Sequence, residues 1–177
     1  MTNAELVVAL ANARSSRRPP GVRRAAAHDG LRDAESAGEL LAPLLGQPVR
    51  PEDLSALTAL HAALVPVVDA LLDGSPPPVD ALNALAASEP AIFAVEVGAD
   101  DRLQPAVRPA RPSAAGELLL RLVRELGELD PSRLRRCERP ECPLVFYDMT
   151  RSGTQRWHAE SPCGLRERQR RHRARQA

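Results

Sequence analysis

Four candidate metal ligands stand in two close pairs in this sequence: Cys137 and Cys142 in C-x4-C spacing, His158 and Cys163 in H-x4-C spacing, with 15 residues between the pairs. Thiolate and imidazole ligands arranged this way suit tetrahedral Zn²⁺, and bringing the pairs together forces the intervening chain to fold back. That stretch starts strand-like at Leu144 to Tyr147 and reaches turn residues at Ser152 and Gly153, the pattern of a hairpin. A helix opening near Ser161 or Pro162 tolerates proline in its first turn and sets Cys163 at its N-terminus, where a thiolate is favoured. Plain buried cysteines beside a surface histidine are the bland alternative. A redox pair is another, but C-x4-C has neither the C-x-x-C spacing nor a βαβ context. Four protein ligands leave no open position for water, so one structural zinc is expected.

The same segment contains all three cysteines, the only Trp and the only Tyr. Charge is just as uneven. Residues 1–132 carry 12 Arg against 18 acidic side chains, and residues 133–177 carry 12 Arg against 5, so a body of charge −6 adjoins a tail of +7 within a chain of +1. Such asymmetry is expected where one module meets a polyanion. All 24 cationic side chains are Arg, which reads as a genomic bias and carries no phosphate signal of its own. No run of 18 apolar residues occurs, and "MTNAELVVALANAR" lacks a basic region before its apolar stretch, so the expectation is a cytoplasmic protein with no membrane partner.

The pattern along the chain predicts an α+β protein that is mostly helical. A helical N-terminal domain with a small β-hairpin (1–132) precedes the ligand-bearing module (133–177). Thr2 with Glu5 forms a capping-box pattern ahead of a helix bearing Leu6, Val7 and Leu10. Residues 15–36, with Pro19, Pro20, Gly21 and Gly30, read as a loop. A short helix fits "GELLAPLLG". A long one opens near Pro51 with Leu54, Leu57, Leu60, Leu64, Val67, Val68 and Leu71 on one face, and Pro66 should kink or split it. A further helix fits residues 77–88. The runs Ala91–Val97 and Leu103–Val107 read as a β-hairpin that must lie on helices or other strands. The last helix of the body has Ser113 as N-cap and Leu118, Leu119, Leu122, Val123 and Leu126 as its buried stripe, closing at Asp130-Pro131.

The module resembles the CGNR zinc finger, whose pattern runs R-R-C-x4-C, then F-x-D-x-[ST]-R, then R-W-C-x4-C-G-N-R. The matching residues include Arg136, Cys137, Cys142, Phe146, Asp148, Thr150, Arg151, Trp157, Cys163, Gly164 and Arg166. His158 replaces the family's third Cys, a mild change because Cys3His is a normal zinc set, and Leu165 replaces the Asn of C-G-N-R. The resemblance implies a treble-clef finger, namely a zinc knuckle, a hairpin and a helix. It also implies an N-terminal ABATE domain that is a candidate to bind a small-molecule ligand, the two together forming a stress-induced transcription regulator. "ALANAR" is similar to a D-[LF]-V-N-T-R stretch of that domain, which implies Asn12 and Arg14 as ligand-binding residues.

A helix starting near Cys163 sets Arg166, Arg170 and Arg173 on one stripe and Arg168, Arg171 and Arg175 on the next. A solvated basic end is the common meaning of such a run. Its direct attachment to a ligand favours ordered contact with a phosphate backbone through Arg166, Arg168, Arg170, Arg171 and Arg173, and the resemblance makes that partner DNA. A zinc-stabilised protein–protein interaction module is the competing reading. No acid–His pair is placed for general-base chemistry, so an enzyme is not expected. One small finger covers few base pairs, which suggests a homodimer.

Overall fold

Leu6, Val7 and Leu10 lie along one side of helix α1 (Glu5–Ala11) and are fully buried, which sets this short helix at the centre of the fold. The computed structural model describes residues 4–15, 28–45, 48–111 and 113–176; the expected cap Thr2 and loop residues Pro19, Pro20 and Gly21 lie outside them. The start of α1 is held from far along the chain. The buried Glu125 carboxylate accepts from the N–H groups of Leu6 (2.9 Å) and Val7 (3.1 Å). A helix N-terminus leaves four donors without internal partners, and a carboxylate there also meets the positive end of the helix dipole. Arg121 grips the other Glu125 oxygen at 3.1 Å and donates to the Leu44 carbonyl.

Beyond α1 the chain forms β1 (Arg14–Ser15), which pairs antiparallel with β2 (His28–Asp29) in a segment expected to be loop. Helix α2 (Ala34–Leu45) begins four residues before the expected Gly38, because Asp33 accepts from the Ser36 N–H at 2.8 Å and caps it. Helix α3 (Leu54–Leu72) follows a turn in which the Asp53 carboxylate accepts from the Arg50 N–H. It runs unbroken through Pro66. The lost backbone hydrogen bond is offset by the buried Ala63, Leu64, Val67 and Val68 on either side, which hold the helix against its neighbours. With the preceding turn, this helix is long and apolar enough in length and composition to cross a membrane. Here it packs against α1, against α4 (Asp80–Ser88), and against the last helix of the body.

Strands β3 (Ala91–Val97) and β4 (Leu103–Pro109) pair antiparallel over seven residues each, from Ala91 opposite Pro109 to Val97 opposite Leu103. This hairpin was expected to lie on other elements. Only its base does, where Pro109 is buried against α5 (Ala114–Glu128) and the rest of the ribbon stands in solvent. Ser113 caps α5 as expected, accepting from the Gly116 N–H at 2.9 Å. Its buried stripe differs from the expected one: Val123 is half exposed and Glu125 is buried, because the stripe ends under the α1 N-terminus and needs an acceptor there.

The turn Pro131–Arg133 leads from α5 into the C-terminal module, and one apolar core runs across it. Leu134 of β5 (Leu134–Arg136) and Val145 of β6 (Val145–Tyr147) belong to the same buried cluster as Leu6, Leu10 and Leu64. β6 pairs with β5, a strand not foreseen in the sequence, and the turn at Ser152-Gly153 closes a separate loop. Helix α6 (Leu165–Ala174) ends the fold after an irregular turn over Glu160–Gly164.

Hydrogen bonds to a charged group contribute about 1.5–3 kcal/mol each, so Glu125→Ala is expected to lower the unfolding free energy by roughly 3 kcal/mol. Val123→Ala, two residues away on the exposed side of the same helix, should change it by less than about 1 kcal/mol. Urea unfolding followed by circular dichroism measures both.

Candidate metal centre

The two pairs converge. One ligand atom from each of Cys137, Cys142, His158 and Cys163 lies within 4.8 Å of the others, and the three cysteines are buried and unpaired by disulfide. The Cys142 sulfur stands 3.4 Å from His158 Nδ1. A tetrahedral ion at ordinary bond lengths would hold such atoms about 3.5–3.8 Å apart, so the donor set fits a metal of that geometry. These four residues are positioned to bind one.

Local hydrogen bonds shape each corner. Between Cys137 and Cys142 the chain turns tightly: the Cys142 N–H donates to the Arg139 carbonyl at 2.9 Å, the Cys137 N–H donates to the Leu144 carbonyl at 3.0 Å, and the Leu144 N–H approaches the Cys142 sulfur. Pairing of β5 with β6 fixes both ends of this knuckle. The segment carrying His158 is brought alongside by the Glu138 N–H, which donates to the Arg156 carbonyl at 2.9 Å.

Asp148 organises the loop between them. Fully buried, it accepts from the Thr150 N–H (2.9 Å) and hydroxyl (2.6 Å) and from the Gln155 N–H (2.8 Å). Burial alone would raise its pKa, but these donors and the Arg135 guanidinium hold its carboxyl below the usual range. Gly153 sits at φ +60, where a Cβ would be strained. Trp157 packs against the cysteine cluster, and Arg156, paired with Glu138, lies 5.2 Å from its ring centroid. At Gly164 a Cβ would come within 3.0 Å of that ring, so the glycine allows helix and tryptophan to close over the ligands.

The electrostatics suit a cation. Burial and the neighbouring thiols push Cys142 up to about 12, and burial with the nearby Cys137 raises Cys163, while a hydrogen bond from Arg139 works the other way. Burial holds His158 below its ordinary value, so its imidazole is neutral and able to donate a lone pair. Three thiolates this close together would form only around a positive centre, and a bound cation supplies one. Arg139, with Nη1 buried and lacking a hydrogen-bond partner among the described residues, adds positive charge at the rim.

Residues 133–176 match the family model of the CGNR zinc finger. No curated protein matches the chain. In this finger His158 occupies the third ligand position, and Leu165, where the family pattern has Asn, is half exposed at the first turn of α6.

The five arginines singled out from the sequence all lie exposed on α6, but they differ in company. The buried Glu167 carboxylate takes two hydrogen bonds from Arg170 (2.7 and 2.9 Å) and one from Arg171 (3.1 Å), and its pKa falls to about 2, chiefly through Arg170. Arg168 pairs with Glu160. Arg166 and Arg173 make no ion pair among the described residues.

Asn12 and Arg14 both line a cleft of about 320 Å³ with His61, Val68, Asp69 and Pro143, at the seam between body and finger. The Asn12 amide is fully engaged: Nδ2 donates to the Val145 carbonyl at 2.8 Å and Oδ1 accepts from the Val145 N–H at 3.0 Å. Arg14 is paired with Asp29 at 2.9 Å. His61 faces the Leu10 carbonyl through Nδ1 at 2.8 Å. A carbonyl only accepts, so Nδ1 carries the hydrogen there. Arg136 was known only as a motif residue; it joins the finger to α3 by pairing with Asp69 (2.7 Å) and Asp73 (3.0 Å). The i, i+4 spacing of those two aspartates was the available signal.

Metal binding to protonated thiols releases protons, so affinity should rise with pH, its logarithm climbing with a slope approaching three per unit near neutrality. Competition with a chromophoric chelator at several pH values measures this. Chelation should also shift the fluorescence of Trp157 while leaving most of the helical circular dichroism intact.

Proposed function

We propose that this chain is a zinc-dependent, DNA-binding transcription regulator acting in the cytoplasm. The knuckle at Cys137 and Cys142, the β5–β6 hairpin and helix α6 follow one another in the order of a treble clef, and zinc is the ion best suited to a Cys3His set. Residues 1–132 act as an ABATE-like domain that senses a small ligand, with the cleft beside Asn12 and Arg14 as the place it would enter. The chain performs no chemistry of its own in this reading.

One observation carries the proposal: α6 is launched from Cys163 and projects an arginine-rich, solvent-exposed surface away from the metal ligands. A helix with so little apolar surface gains little by packing, and its arginines repel one another until a polyanion relieves them. Arg166 and Arg173 are the side chains best prepared to take phosphates, since their charge is not already matched.

The pairing of Arg168, Arg170 and Arg171 with Glu160 and Glu167 supports a second reading, a protein-interaction module, because it lowers the charge offered to a polyanion. Selection from random DNA separates the two. Enrichment of a motif is expected, and recovery of sequence-blind binding only would favour the interaction module.

The ion pairs make the salt dependence informative. If they persist on DNA, three arginines, Arg166, Arg173 and Arg175, neutralise phosphates and log K should fall against log salt with a slope near −2.7. If they exchange for phosphates, six arginines engage and the slope should approach about −5.4. Arg166→Ala should reduce the slope by about one unit. Fluorescence anisotropy across a salt series measures each.

A further inference from the structure

The β3–β4 hairpin presents a surface unlike the rest of the body. Side chains alternate across a strand, and cross-strand partners share a face. Register therefore sets Phe93 with Val107, Val95 with Pro105 and Val97 with Leu103 on one side of the ribbon. Every one of these six is apolar. The opposite side mixes Ile92 with Arg108 and Glu96 with Gln104. Both sides of the ribbon meet solvent, but the apolar one does so most fully: Phe93 is 92% exposed, Leu103 75%, Val95 71% and Val97 65%. Folding of a single chain does not explain it, because burying Phe93, one of four aromatic residues in the chain, is what a core would do with it.

We propose that this apolar face is the dimerisation surface of the protein, packing face to face on the same hairpin of a second copy. Three observations select a second copy as the occupant. First, the face bears no charge, so it offers no electrostatic complement to an acidic or basic partner; a twofold axis needs only self-complementarity, and Phe93 with the smaller Val95, Pro105 and Val107 around it provides one large side chain and shallow ground for its mate. Second, the free edges do not favour lengthening the sheet instead: Pro105 and Pro109 interrupt donors on β4, and edge pairing through β3 would leave the apolar face in water. Third, the area is sufficient. Six exposed residues of this size offer roughly 300–600 Å² per copy, the size of patches that mark interaction sites on monomers, and two copies would bury on the order of 1,000 Å², the threshold of a specific interface. The tip carries Asp100, paired with Arg102, and Asp101, whose charge, unmatched among the described residues, opposes insertion into an anionic lipid surface or a nucleic-acid groove.

This inference stands independently of DNA binding. The test uses the 177-residue chain loaded with zinc, without DNA, by sedimentation equilibrium from about 1 to 100 µM. Wild type is expected at twice the 19.1 kDa chain mass. Phe93→Thr with Val95→Thr keeps strand propensity, touches no core residue, and should weaken the dimer at least ~30-fold, as loss of a central aromatic anchor does. Thermal melting of the monomer and zinc content should not move. Ile92→Thr, on the other face, should leave the dimer intact. A monomeric wild type at 100 µM overturns the proposal, as does a dimer indifferent to the Phe93/Val95 change. Binding of wild type, but not the variant, to neutral phosphatidylcholine vesicles in place of self-association overturns it in favour of a membrane surface.

Discussion

The Asn12 carboxamide grips Val145 from both sides, donating to its carbonyl and accepting from its N–H as a neighbouring strand would. Through this pair the C-terminal end of α1 acts as an edge partner for β6, the strand that leaves the Cys142 knuckle. The Val145 side chain meanwhile enters the core that Leu6, Leu10 and Leu64 build. A finger of this size has little apolar interior of its own, and its cluster consists of three cysteines with Leu144 and Trp157 alongside. Small modules normally need a metal or another staple to hold their shape. Here the Asn12 clasp and the Arg136 pairing to Asp69 and Asp73 add a mechanical footing on the body, so the metal site is anchored at its base as well as organised at its centre.

The same arrangement makes communication between the two parts physically simple. Pro143 and Val145 line the cleft that Asn12, Arg14, His61 and Asp69 also line. A ligand in that cleft would touch the helical body and the root of the knuckle at once. Val145, which lines the cleft, pairs with Arg136 of β5 one residue before Cys137, so a single strand pair separates cleft and knuckle.

Much of the finger was legible in the sequence because its ligands are few in kind and regular in spacing. Cys137, Cys142, His158 and Cys163 come together, Asp148 and Thr150 form the loop their motif anticipates, and Cys163 lies in the turn that leads into α6. The helices of the body were legible from periodicity alone. What escaped had a long-range cause. β5 shows no strand pattern over three residues and exists because β6 pairs with it. Glu125 reads as a solvent residue of an amphipathic helix until α1 arrives with unsatisfied donors, and Val123 is then turned outward. Asn12, expected beside a ligand, lines the cleft while its amide serves as a clasp.

The sequence by itself determined the metal-ligand set, the order of helices and hairpins, and the concentration of arginines after Cys163, because spacing, periodicity and charge are local properties. The tertiary structure alone decided which polar groups are satisfied by which partners. Glu167 pairs with Arg170 and Arg171, while Arg166 and Arg173 make no ion pair among the described residues. It also decided that an apolar ribbon, expected to be covered, stands exposed. Hydrogen-bond satisfaction and burial depend on what lies across space from a residue, and no window of sequence contains that neighbour.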